Sequence, residues 1–116
     1  MSQEGQLLDK KSLRAISGKT ADWGELVKDC VAFANATGGR LLIGIEDDQD
    51  LPPAGQQVPI DLPDTLRRKL AERTVNVVVL PNLVTAVNGG QYIALSIPRA
   101  AAVASTTDGR YFLRVA

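Results

Sequence analysis

The sequence predicts an α+β fold: a two-layer α/β sandwich in which a mixed sheet of five to six strands carries two main helices. Three observations predict it. Apolar residues recur with helical period from Trp23 to Ala34. A continuous apolar stretch, Leu41 to Ile45, follows directly behind the glycine pair Gly38-Gly39. In the second half, strand-length apolar runs alternate with the tight-turn signals Asn88-Gly89-Gly90 and Asp108-Gly109. At 116 residues the chain is one domain, long enough to bury a core without disulfides or metals.

Taken in order, residues 6–13 form a short, imperfect strand. Asp22 is a helix N-cap, with Glu25 three residues on in capping-box spacing. From there Trp23, Leu26, Val27, Cys30, Val31 and Ala34 line one helix face up to about Asn35. Gly38 and Gly39 end that helix, because glycine takes left-handed φ without strain. Leu41 to Ile45 lacks polar alternation, so both faces of this strand are expected to be covered. Residues 47–60, with three Asp, three Pro and three Gln, read as a loop.

A second helix starts at Asp61-Leu62-Pro63-Asp64, with proline in the first turn and acids at the positive dipole end. It turns Leu66 and Leu70 to the core and Arg67, Arg68, Lys69 and Arg73 to the wet side. Val75 to Leu80 and Leu83 to Val87 are strand material with a bend at Pro81. Gln91 to Ile97 returns from the Asn88-Gly89-Gly90 turn and stops at Pro98. Residues 100–107 are loop or weak strand, and Arg110 to Val115 forms a last strand. The chain stops directly after that strand, so 1–116 is expected to be the N-terminal part of a longer protein.

Composition narrows the chemistry. There is no histidine, which removes Ser-His-Asp and Cys-His catalysis, His-ligated zinc and an imidazole base. A single cysteine, Cys30, allows no internal disulfide and points to a reducing, cytoplasmic setting. The start has neither a basic region nor an apolar core of a signal peptide, and Val75 to Val87 is too short and too broken to cross a bilayer. Thirteen cations balance thirteen acids, so bulk charge does not attract nucleic acid; a cationic face would have to be assembled by folding. No Gly-x-x-x-x-Gly-Lys-Ser/Thr or Gly-x-Gly-x-x-Gly loop is present, so an ATPase assignment has no residue basis.

The segments Leu26-Val27-Lys28-Asp29, Ala32-Phe33-Ala34-Asn35, Gly38-Gly39 and Leu42-Ile43-Gly44-Ile45-Glu46-Asp47 resemble the Schlafen AlbA-type domain. Glu4, Leu8, Asp9 and Lys11 fall on that family's first motif, and Tyr111 and Arg114 on its last. Asp9 stands where the family has Glu, Lys10 where it has an aromatic, and Glu46 where it has Asp. The resemblance implies a nucleic-acid-binding module, for DNA before RNA, of a bacterial transcriptional-regulator-like protein, with no cofactor. Some relatives look like ribonucleases that hold Mg²⁺ or Mn²⁺ between three carboxylates; on this chain these would be Glu4, Asp9 and Glu46.

The basic residues offer the phosphate-binding candidates. Lys10, Lys11, Arg67, Arg68 and Arg114 are the chosen set, drawn from a wider group that includes Arg14, Lys19, Lys69, Arg73, Arg99 and Arg110. Five aromatics in the chain are few for a base-stacking platform, which favours backbone contacts. Asn35, Gly38, Gly39 and Gly44 read as structural: Asn35 caps its helix or bonds a neighbouring loop, and the glycines let helix and strand pack closely. A third expectation is a homodimer, built by strand addition at the hairpins around Gly89 and Gly109. No membrane partner is expected.

Overall fold

The structure is a computed structural model and describes residues 7–16, 22–110 and 112. β1 (Leu7–Lys11) leads through a single 3-10 turn, Leu13–Ile16, towards α1 (Trp23–Asn35). Then come β2 (Gly39–Ile43), α2 (Leu62–Arg73), β3 (Thr74–Val75), β4 (Leu80–Thr85), β5 (Gln91–Ile97) and β6 (Ser105–Thr106). The main sheet has the order β1-β2-β5-β4, with β1 parallel to β2 and the other pairs antiparallel. β3 and β6 form a separate two-stranded ribbon. Among the described residues the fold is α+β with two helices, and the main sheet has four strands rather than five or six.

Helix α1 begins as its sequence indicates. The Asp22 carboxylate accepts a hydrogen bond from the Glu25 backbone N–H at 3.0 Å, satisfying one donor of the first turn. Its apolar face, from Leu26 through Ala34, is buried. At its other end Gly38 takes φ +84° and returns its N–H to the Phe33 carbonyl. A Cβ at Gly38 would sit 2.8 Å from the Ile97 carbonyl oxygen, so glycine is needed for both conformation and space. Gly44, just past β2, has φ +115°, and a Cβ there would meet Gln56 and Tyr92 at 3.0 Å.

The core joins Leu26, Val31 and Phe33 of α1, Leu66 and Leu70 of α2, and Leu41, Ile43, Ile93, Leu95 and Ile97 of the sheet. Burying side chains of this size stabilises by roughly 1.5–3 kcal/mol each. β2 corrects one expectation. Leu41 and Ile43 are fully buried, but Arg40 and Leu42 on the alternate face are only half-covered. The central strand therefore has one closed face and one partly open face. Its apolar run reads as doubly buried because Leu42 remains apolar on the more open side.

The segment after α2 also departs from expectation. Pro81 does not divide two strands: β4 runs through it from Leu80 to Thr85. Among the described residues β4 is the sheet's edge strand, a position where proline is tolerated. The upstream valines are not part of it. Val75 pairs with Ser105 in the ribbon, and Asn76 at φ +64° turns the chain before residues 77–79 run without regular structure. The Asp108-Gly109 turn is present, with Gly109 at φ +87°. Arg110 lies outside any strand, and the rest of the expected last strand, apart from Phe112, lies outside the described residues.

Candidate nucleic-acid interface

Trp23 opens α1, half-buried, with its ring packed on the core. Lys69 and Arg73 sit one turn apart near the C-terminal end of α2, where positive charge complements the helix dipole. Both reach this ring: the Lys69 Nζ is 5.6 Å and the Arg73 guanidinium 6.0 Å from its centroid. Arg73 is steadied further by donating to the Lys69 carbonyl at 3.0 Å.

A second ring repeats the pattern. Lys28 of α1 lies 5.7 Å from the centre of Phe112, and the Arg110 guanidinium 5.8 Å from it. Phe112 is held from below by Asn35 at the end of α1. The Asn35 side-chain amide donates to the carbonyls of Ala104 and Phe112, each at 2.9 Å, and its oxygen accepts the Ala104 N–H at 2.7 Å. The turn between β6 and Phe112 is fastened to α2, because the Thr107 N–H donates to the Arg73 carbonyl. Between the two cation–ring groups lies a cavity of about 290 Å³, lined by Gly24, Val27, Arg73, Thr106, Thr107, Asp108 and Arg110.

Four cations from three parts of the chain thus share one face with two aromatic rings. Each cation–ring contact contributes on the order of 0.5–1 kcal/mol at an exposed site, enough to bias where a long side chain rests. Three acids lie on or beside this face, the N-cap Asp22 among them. Glu72 is 3.7 Å from Arg73, and Asp108 is 3.3 Å from Arg110. The hydrogen bond from the Thr106 hydroxyl holds the Asp108 carboxyl below its ordinary pKa; slight desolvation opposes this and the Arg110 charge assists it. Exposed pairs of this kind are weak in water and screened by salt, so a polyanion can displace them. Lys28 and Lys69 pair with no acid among the described residues.

Of the basic residues singled out from sequence, the four that are described lie on two separate elements. Lys10 and Lys11 lie on β1, at one edge of the sheet. Arg67 and Arg68 lie on α2, which packs on β4 at the opposite edge, about 14 Å away at the usual strand spacing. Lys10 donates to the Gln49 carbonyl at 2.6 Å and lies 3.6 Å from Asp50. Arg67 pairs with Asp64 one turn earlier, while Arg68 is exposed beside Lys69. Arg114 lies outside the described residues.

Lys11 has a structural partner. Its ammonium is 2.7 Å from the Asp29 carboxylate and 3.9 Å from that of Asp9, with the Asp29 pair largely enclosed between β1 and α1. Burial alone would lower the Lys11 pKa, but the hydrogen bond to Asp29 and the charges of Asp29, Asp9 and Glu25 outweigh it and raise the pKa.

Of the carboxylate set, the two described members, Asp9 and Glu46, lie in different segments of the sheet region. Asp9 pairs in register with Leu41, accepts the Lys10 backbone N–H at 2.9 Å and faces Lys11. Glu46 is exposed beyond the end of β2, and Glu4 lies outside the described residues. No group of three His, Cys, Asp or Glu is placed to hold a metal among the described residues.

The Schlafen, AlbA_2 family profile matches residues 4–116. The chain belongs to the Schlafen AlbA_2 family. Among solved structures, this Schlafen AlbA_2 domain is similar to the DIP2311 protein from Corynebacterium diphtheriae, at a TM-score of 0.63 and 24% identity. That likeness covers 98% of this chain and 23% of the other, so the chain spans less than a quarter of that protein and shares its fold there. No curated protein matches.

Lys28 is the cation of this face that the sequence did not single out, and Trp23 reads from sequence only as a residue at the core edge. The only signal for Lys28 is a cation on the wet face of the helix that carries Trp23. Nothing local announces that Phe112, far along the chain, comes to lie beside it.

Proposed function

We propose that this domain binds nucleic acid through the face formed by Lys28, Lys69, Arg73 and Arg110, with duplex DNA the expected partner, as a module of a regulatory protein. The observation that supports this is the convergence of four cations on two rings in a chain with no net charge. The family assignment agrees with a nucleic-acid-related role. Cations already lie against both rings, so the rings serve as splints for charge more than as stacking surfaces for bases. Binding then runs through phosphates, which positions the domain without reading sequence.

Trp23 is the chain's one tryptophan and sits inside the proposed contact surface, so its fluorescence reports binding directly. Titration with duplex DNA at low salt is expected to change that emission saturably, and added salt to reverse the change. The reading fails if emission stays constant and no complex forms at about 50 mM salt, where phosphate contacts are strongly favoured.

A further inference from the structure

The cavity between the two cation–ring groups is the most specific feature of this face. Its walls come from separate elements: Arg73 closes α2, while Thr106, Thr107, Asp108 and Arg110 belong to β6 and its following turn. Gly24 and Val27 of α1 complete the lining. A Cβ at Gly24 would meet only the Asp22 carboxylate, at 3.6 Å, so the missing side chain leaves this wall open. At about 290 Å³ the cavity lies just below the usual range for small-molecule sites, which begins near ~300 Å³. That volume suits one phosphate with part of its sugar better than a whole nucleotide.

We infer that this cavity clamps a single phosphate group of the bound nucleic acid between the Arg73 and Arg110 guanidinium groups. The inference rests on the reading of this face as a nucleic-acid contact, and adds where and how one phosphate is held. The chemistry favours arginine here. A guanidinium presents two parallel N–H donors to two phosphate oxygens, which an ammonium cannot do. Trp23 and Phe112 hold the two forks in place, reducing the freedom lost on binding. Asp108 occupies the Arg110 Nε in the free protein at 3.4 Å, and an incoming phosphate competes with it. An internal phosphodiester and a strand end present the same phosphate chemistry, and the test separates them.

The test compares charge-preserving variants of the full chain on a short duplex DNA, with and without 5′-phosphates, by fluorescence anisotropy. The Arg73→Lys/Arg110→Lys pair keeps the net charge but removes the forks, and is expected to weaken binding about tenfold, the worth of one charge-assisted hydrogen bond. The Arg67→Lys/Arg68→Lys pair, on α2 but outside the cavity lining, makes the same exchange away from the clamp and is expected to stay within about twofold of the parent. A loss confined to the 5′-phosphorylated duplex identifies a strand end; an equal loss on both identifies a phosphodiester. Parent-like affinity in the Arg73→Lys/Arg110→Lys pair overturns the clamp while leaving the nucleic-acid reading intact. Absence of binding by the parent overturns both. Should the Arg73→Lys/Arg110→Lys pair not fold, Asp108→Asn decides: it frees Arg110 and is expected to tighten binding, and unchanged or weaker binding contradicts the clamp.

Discussion

Asn35 fastens the chain's last described residue to its longest helix, and replacing it should weaken the domain by a calculable amount. Its side chain makes three hydrogen bonds, to the Ala104 carbonyl, the Ala104 N–H and the Phe112 carbonyl, in a partly buried position. At roughly 1 kcal/mol net for each, Asn35→Ala should cost about 3 kcal/mol. That is a large share of the roughly 5–15 kcal/mol available to a domain of this kind. With an m-value of about 1.5 kcal/mol per M, the urea midpoint should fall by about 2 M. Asn35→Asp is the sharper probe because it preserves shape. It keeps an acceptor for the Ala104 N–H but sets a carboxylate oxygen against two carbonyl oxygens.

At pH 7 the aspartate should cost at least as much as the alanine. The neutral carboxyl is the form this pocket tolerates, so its folded pKa should rise above the unfolded value of about 3.9. The variant's relative stability should therefore be best below that unfolded value and should worsen as pH rises through the folded one. Urea melts of parent, Asn35→Ala and Asn35→Asp across this range check the sign. An aspartate variant that melts with the parent at pH 7 refutes the hydrogen-bond assignment.

Other outcomes follow from particular contacts. Lys11→Met leaves the Asp29 carboxylate enclosed without its ammonium and should cost about 2–4 kcal/mol in a urea melt. Because the Lys11 pKa is raised, the pair's contribution should be complete below the ordinary value of 10.5 and fade as pH climbs above it. That alkaline loss should be absent from Lys11→Met, and an identical alkaline profile in parent and variant contradicts the assignment. Cys30 is fully buried, and burial, helped by the Asp29 charge, pushes its thiol pKa up. Ellman's reagent should react with it only as the protein unfolds in urea; rapid reaction in native buffer would show that the helix face is open.

The parts legible in the sequence are those decided by neighbours along the chain. Asp22 and the helical period place α1 at Trp23–Asn35, and the bracketing turn and Pro98 place β5 at Gln91–Ile97. What stayed hidden depends on distant partners. Pro81 looks like an interruption unless β4 is known to lie at the sheet edge. Val75 looks like part of the next strand unless Ser105 is known to pair with it. The interface shows the same division. Lys11 is indistinguishable from a free surface lysine until α1 brings Asp29 to it, and Lys28 acquires meaning only when Phe112 folds beneath it. Lys10 adjoins Lys11 and Arg67 adjoins Arg68 in the chain, whereas the cations that meet come from α1, the end of α2 and the turn after β6.

The salt dependence of duplex-DNA affinity tests the central claim most directly, because its slope counts the phosphates neutralised. Four converging cations predict a slope of log K against log salt near −3 to −4, at about −0.9 per phosphate. The Lys28→Gln/Lys69→Gln pair should flatten that slope by about 2 units. A slope near zero, or one that the double variant leaves untouched, contradicts the account.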